Sequence, residues 1–328
     1  MSMPLPQLSA LKQLGLRQED FLIQCDQELS LAQRQTSNCF GFKWSKRDTY
    51  ESEAMQKHAR QWLIERYLNG DPSVLDKWFK GGDRIVLDAG CGAGYSALLF
   101  FGDKLKENHY LGVDISEAVD VARQRFAQAG IPGEFARGDI MRLPIPENSL
   151  DMIYSEGVLH HTDDTGEAVR RLTRKLKSGG RFLFYVYKKK AVIREYTDDH
   201  IRCALKNLSD ENAWQALEPL TRLGQILGKL DVNIEIPEDI PLLGIKKGSN
   251  SLHRFFYYSI CKLFYRPELS FDEMNHINFD WFRPLNCRRH TIEEVKEFCR
   301  ASGMDIERLH VDDSGITIVG IKKKFPNE

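Results

Sequence analysis

The chain has 328 residues, 46 Lys and Arg against 47 Asp and Glu for a formal charge of −1, and 42% apolar with 28% charged residues. These proportions exclude disordered, collagen-like and coiled-coil chains, and at about 150 residues per domain the length predicts two domains or one large domain with an insertion. Near-neutrality lacks the basic surplus that neutralises phosphates, so a nucleic-acid partner is not expected.

The longest uncharged stretch, Ala89 to Gly102, is shorter than the ~20 apolar residues of a membrane helix and is broken by glycines, so no membrane span is expected. The N-terminus, with Pro4 and Pro6, lacks the basic-then-apolar order of a secretory signal, which predicts a cytoplasmic protein. Seven scattered cysteines (25, 39, 91, 203, 261, 287, 299) contain no C-x-x-C pair, so neither a disulfide framework nor a zinc ribbon is suggested.

In chain order, Met55, Trp62, Leu63 and Tyr67 fall at helical spacing over 51–68, and Asn69-Gly70-Asp71-Pro72 stops the run. From Arg84 the pattern alternates between short β-rich runs and helical segments: RIVLDA, YSALLFFGDKL, HYLGVDI, SEAVDVARQRFAQAG, GEFARGD, SLDMIYSEG, TGEAVRRLTRKLK and RFLFYVY. Strands separated by helices imply right-handed crossovers and a parallel sheet covered on both faces. The alternation stops after Tyr187 and resumes with the helix TIEEVKEFCRASG and two strands, DIERLHV and GITIVGIKK, whose tight turn Asp312-Asp313-Ser314-Gly315 predicts an antiparallel last strand. The organisation expected is therefore a helical lead-in over 1–82, an α/β core over 83–190 and 291–328, and an insertion over 191–290.

The chemistry is concentrated in Val86-Leu87-Asp88-Ala89-Gly90-Cys91-Gly92-Ala93-Gly94-Tyr95, a strand running into a glycine-rich turn and a helix. Glycines let the backbone approach a ligand, and the helix N-terminus offers unpaired N–H groups. A dinucleotide fingerprint needs glycines at its first, third and sixth positions, whereas these stand at 90, 92 and 94 with Asp88 before them.

The D-x-G-x-G-x-G arrangement resembles the first motif of class I S-adenosylmethionine-dependent methyltransferases. Asp114 in LGVDIS, Gly138-Asp139-Ile140, D-x-x-x-L-P from Asp139 to Pro144, and Leu176-Lys177-Ser178-Gly179-Gly180 match further segments of that family in order. More narrowly, YSEGVLHHTDD with F-D-W-F-R-P and R-H-T-x-E-E-V is similar to bacterial methyltransferases of type 11 with a long insertion after the fifth strand. The resemblance implies a Rossmann-like seven-stranded sheet and S-adenosylmethionine as cofactor. It also implies binding by Asp88, Gly90, Cys91, Gly92, Ala93, Gly94, Asp114, Ile115, Asp139, Ile140, Ser155 and Glu156. Asp114 would take the ribose hydroxyls, because one carboxylate accepts two hydrogen bonds at once. Phe40, Phe42 and Trp44 either fold over the sulfonium or adenine, with Phe40 and Trp44 as the cofactor contacts, or anchor the lead-in as plain apolar groups.

Ligands of such sheets lie beyond the carboxyl ends of the strands, which selects His160 and His161 as candidate catalytic residues, or as caps of the next helix. The insertion carries ten aromatics between Ser251 and Arg289, read as a cap with its own core that also walls an acceptor pocket. A membrane-facing helix for a lipid substrate is the other reading of these aromatics. Tyr187, Tyr258, Trp281 and Arg283 are the substrate candidates, and the cluster Arg283, Arg288, Arg289 and His290 either clamps an anionic group or is solvated charge. Asp272, Glu273, His276 and Asp280 do not make a convincing metal site, and the runs Lys188–Lys190, Lys246-Lys247 and Lys322–Lys324 read as solvated edges. The function expected is methyl transfer to an O, N, S or C nucleophile of a small molecule under an aromatic cap. The rivals are an RNA- or protein-modifying methyltransferase and a non-catalytic cofactor-binding regulator.

Overall fold

Side-chain alternation sets the layers. Along β1 (Ile85–Ala89), Leu87 and Ala89 join the core on one face of a sheet and Val86 the core on the other. The same split divides Leu111 and Val113 from Tyr110 in β2 (His109–Asp114), and Ile153 from Met152 and Tyr154 in β4 (Leu150–Glu156). In β5 (Leu176–Tyr187) it divides Phe182, Phe184 and Val186 from Leu183. A sheet apolar on both faces must be covered on both faces. Helices Thr165–Lys175 and Ile292–Ala301 cover the first, through Val169, Leu172 and Val295. Helices Glu53–Leu68, Tyr95–Phe101 and Ala118–Gln128 cover the second, through Tyr67, Phe100 and Phe126.

The computed structural model describes residues 9–25, 29–46 and 52–324. With β3 (Glu134–Arg137), the first five strands are parallel. An insertion follows β5 and contains the hairpin β6 (Asn233–Ile236) and β7 (Gly248–Ser251). The chain then returns through β8 (Met304–Val311) and β9 (Gly315–Lys322), completing the order β3-β2-β1-β4-β5-β9-β8 with β9 antiparallel to both neighbours. This is the Rossmann-like seven-stranded sheet that the sequence implies. One boundary differs: Leu176 pairs with Leu150 ahead of the Gly179-Gly180 turn, so β5 begins five residues before the apolar run at Arg181.

The lead-in and insertion are built onto this frame. Helix Ala10–Leu14 is capped by Glu134, which takes the Ser9 hydroxyl and the Leu11 N–H at 2.8 Å each, and Phe21 packs into the first core. The insertion is closed at its neck: His290 N–H donates to Tyr187 O at 2.8 Å, and Lys189 N–H donates to His290 O at 2.9 Å. It holds four helices, Val192–Leu205, Asp210–Lys229, Leu252–Ser259 and Phe271–Phe282, around Trp214, Leu217, Leu263, Phe279 and Phe282. Inside, Thr221, Asn275 and Asn278 bond to one another, so these polar groups are satisfied where they are buried. The hairpin is an addition to the helical cap expected; its first strand follows the alternation Val232-Asn233-Ile234-Glu235-Ile236, a period-two signal that the helical reading passed over.

Candidate active site

Where β1 ends, the chain turns through Gly90 at φ +86° and Gly92 at φ +50°, the left-handed region that a side chain resists. Gly90 is also sterically required, because a Cβ there would lie 2.3 Å from Val158. The N–H groups of Gly90 and Cys91 both donate to Val113 O, at 2.7 and 3.0 Å, fixing the turn to the end of β2. The Asp114 carboxylate finishes that end. Its Oδ2 accepts the Gly92 N–H at 2.9 Å, and its Oδ1 accepts the Ser116 N–H and hydroxyl at 2.8 and 2.6 Å. A carboxylate has about four acceptor positions and three are taken, so about one remains for a ligand.

A cavity of about 590 Å³ opens from this turn and runs under the insertion, within the 300–1,000 Å³ usual for small-molecule sites. Among the sequence candidates, Gly90, Cys91, Gly92, Asp114, Ile115, Asp139, Ile140, Glu156 and Phe40 line it, as do His161, Tyr187, Tyr258 and Trp281. Others stand behind the wall. Asp88 is buried against Tyr110, whose hydroxyl donates to it at 2.7 Å, and burial raises its carboxyl to about 7. Ser155 donates to Ala89 O at 2.7 Å, tying β4 to β1, and Ala93 is buried beside the turn. A Cβ on Gly94 would reach 2.9 Å from Phe126, so that glycine serves helix packing rather than the cavity. The side chain of Trp44 lies outside the described residues.

The two histidines have different surroundings. His160 is fully buried behind the cavity wall, its ring 3.8 Å from that of Tyr187. His161 faces the cavity, with Nδ1 2.5 Å from Asn286 O and Phe40 edge-on at 4.9 Å. Only an N–H satisfies a carbonyl, so Nδ1 carries the proton and Nε2, which has no partner, keeps a lone pair. Burial lowers this imidazole to about 4, so it is neutral near pH 7.

Two ion pairs connect the lead-in to the cavity wall. Arg66 Nη2 lies 2.5 Å from Glu156 Oε1, and Tyr67 donates to Glu156 Oε2 at 2.6 Å, so Glu156 is held by protein on both oxygens. Lys43 Nζ lies 2.5 Å from Asp280 Oδ1, while Tyr187 donates to Oδ2 at 3.2 Å. Burial alone would raise Asp280, but Lys43 and Lys262 outweigh it and hold the carboxyl well below its usual range. Phe42 packs against Phe279 at 5.4 Å and Trp214 at 6.3 Å, the anchoring alternative, whereas Phe40 is on the cavity.

The arginine cluster does not face the cavity. Arg283 is buried on Asp210 and Leu208 O, Arg288 bonds Thr162 O and Asp163 O, and Arg289 pairs with Glu195 and Asp199. These contacts hold the insertion to itself and to the core rather than clamping a ligand, and of the three only Arg288 stays exposed as solvated charge. Lys190, read as part of a solvated edge, instead lines the cavity, as does the buried Lys262. Lys322 is likewise buried, donating to Leu176 O at 2.8 Å. The roles of Lys43, Arg66, Lys262 and Asp280 escaped sequence reading because each depends on a partner on a distant element. Among the described residues, no group of His, Cys, Asp and Glu is arranged to hold a metal, and no helix is long and apolar enough to cross a membrane.

Residues 87–184, the stretch bearing the turn and strands β2 to β4 with most of β5, match the family described as "Methyltransferase domain". Residues 87–184 are thus a methyltransferase domain. The domain is 40% identical over 100 residues to the uncharacterized methyltransferase YcgJ of Bacillus subtilis, covering 30% of this chain and 38% of the relative. It is 34% identical over 105 residues to 27-O-demethylrifamycin SV methyltransferase of Amycolatopsis mediterranei, covering 31% and 38%. The chain thus spans about two fifths of the length of these curated relatives. Among solved structures, magnesium protoporphyrin IX methyltransferase from Synechocystis with bound SAH superposes with a TM-score of 0.48 at 13% identity, covering 89% of this chain and 100% of the other.

Proposed function

We propose that the protein transfers a methyl group from S-adenosylmethionine to a small molecule held between the sheet and the insertion. The observation that carries this reading is the continuity of the cavity, which joins the glycine turn and Asp114 to an aromatic wall containing Tyr187, Tyr257 and Trp281. S-adenosylmethionine supplies an activated methyl on a sulfonium, so the protein's work is alignment more than activation. The residues fit it: Gly90 and Gly92 leave the turn bare, Asp114 keeps an acceptor position suited to a ribose hydroxyl, and Ile115 and Ile140 offer apolar contact beside Asp139. Burial raises the Asp139 carboxyl, and its Oδ1 accepts the Met141 N–H at 2.9 Å.

On the cavity wall, His161 Nε2 is the group suited to take a proton from an acceptor, with Nδ1–H fixed on Asn286 O. His160 acts as a positioning residue through its contact with Tyr187. Glu156 holds the wall through Arg66 and Tyr67 rather than contacting the cofactor by a free carboxylate. A small acceptor is supported by the roof of insertion residues over the cavity and by the balanced charge of the chain.

The test is production of S-adenosylhomocysteine by the full chain when given, separately, the low-molecular-weight and nucleic-acid fractions of a cell extract. Turnover with the first fraction alone is expected. Turnover confined to the second would overturn the small-molecule reading, and none with either would favour a binding protein without transfer.

A further inference from the structure

Where the insertion helix Phe271–Phe282 lines the cavity, Trp281 is fixed by its indole N–H, which donates to Asp198 at 2.7 Å. Its ring is ringed by cations: the ammonium of Lys262 lies 4.8 Å from the ring centroid, that of Lys190 5.6 Å, and the guanidinium of Arg194 5.3 Å. Arg194 is neutralised by Asp198 at 2.7 Å. Lys43 has Asp280, and Arg202 has Asp199 at 2.8 Å. Among the described residues the two remaining lysines have no carboxylate within 4 Å, although Asp280 and Asp198 act on Lys262, and Asp312 on Lys190, from farther off. Lys262 Nζ donates to Ile277 O at 3.1 Å, and Lys190 Nζ donates to the carbonyls of Asp313 and Ser314.

Other acids nearby are already engaged. Asp312 accepts the Ser314 N–H and the Gly315 N–H, Asp313 is 3.7 Å from Lys188, and Asp280 has its closest cation in Lys43. Lys262 is buried and Lys190 partly so; an ammonium ion drawn out of water onto carbonyl partners is costly, and an anion entering the cavity removes that cost. We propose that the acceptor is an anion, carrying a carboxylate or phosphate that Lys190 and Lys262 hold, with an apolar body against Tyr257, Phe264 and Ile277. This deepens the methyltransferase reading and rests on it. All five residues line the one cavity.

Protonation follows the same geometry. Burial lowers both lysines to about 7, Lys190 further through Arg194, Lys188 and Lys262 against the opposing Asp312, and Lys262 through Arg194 against Asp280, Asp198 and Cys287. An anion between them favours the charged forms, so binding above pH 7 takes up protons.

The experiment uses the full chain saturated with S-adenosylhomocysteine and titrates phenyl phosphate, benzoate and, as neutral control, benzyl alcohol by calorimetry at about pH 8, in two buffers of different ionisation enthalpy. At least one anion is expected to bind about tenfold or more tightly than the alcohol, with a buffer-dependent heat that reports proton uptake. The better of the two identifies the headgroup. Lys262→Met and Lys190→Met should each lower anion affinity about tenfold, the scale of one charge-assisted hydrogen bond, without changing affinity for S-adenosylhomocysteine. Equal binding of the alcohol and both anions, no binding of either anion, or wild-type anion affinity in both variants overturns the inference. S-adenosylhomocysteine is titrated first, and its failure to bind defeats the methyltransferase reading instead.

Discussion

Replacing Arg66 with methionine tests how the lead-in is joined to the site. The guanidinium is 2.5 Å from Glu156, the side chains are 1% and 11% exposed, and the ring of Trp62 lies 3.4 Å from the guanidinium carbon. Methionine conserves much of the volume and removes the charge, leaving Glu156 a largely covered carboxylate on the cavity wall with only the Tyr67 hydroxyl at 2.6 Å. Removing one partner of a buried pair costs about 3–5 kcal/mol, most of it from the stranded charge. Glu156→Gln should cost a similar amount by stranding Arg66. The double variant should lose markedly less than the sum of the two, because no isolated charge is left. Urea denaturation of the full chain, followed by tryptophan fluorescence and circular dichroism together, measures all four proteins. Single losses under about 1 kcal/mol, or strict additivity, would refute the argument, since the pair would then behave like an exposed one.

Asp88→Asn should change the pH dependence of stability. Burial raises this carboxyl to about 7, above its unfolded value, so its stabilising contribution is complete at low pH and is lost as pH rises through 7. Denaturation from pH 4 to 8 should show the variant gaining on the wild type by up to about 4 kcal/mol, and a constant difference would contradict the assignment. Gly90→Ala should destabilise by about 1–3 kcal/mol through the 2.3 Å approach to Val158, and Gly90→Ala/Val158→Ala should recover part of it; thermal melts that show no recovery would point to backbone strain alone. His161→Gln should lower turnover about 100-fold on an acceptor from the extract assay. The ratio to wild type should stay constant from pH 8 to 6, because the imidazole titrates near 4; a ratio that collapses in that range would exclude it as the base.

The sheet was legible because its signal is local. Runs such as VLDA and FLFYVY, punctuated by Gly90, Gly92 and Gly179-Gly180, determine strands and turns without reference to distant residues. The Thr291–Glu294 capping box opens the last helix where the sequence begins it. The place of Asp114 was legible for the same reason: it ends β2, where its carboxylate accepts the Gly92 N–H. The acceptor end was not. Arg283 and Lys190 look alike as surface cations in a sequence, and only tertiary packing sends one into Asp210 and the other toward Trp281. His160 and His161 are adjacent, yet the short helical turn Leu159–His161 turns one ring inward onto Tyr187 and the other onto the cavity. Aromatic richness in the insertion gave no way to separate Phe279 and Phe282, which fill its core, from Tyr257 and Trp281, which also face the cavity.

Calorimetric titration of S-adenosylhomocysteine into the full chain and into Asp114→Ala bears on the central claim most directly. The account predicts one site in the wild type and an affinity about 10- to 100-fold weaker in the variant, the loss of a charge-assisted hydrogen bond to the ribose. Unchanged affinity in Asp114→Ala, or no binding by the wild type, would contradict it.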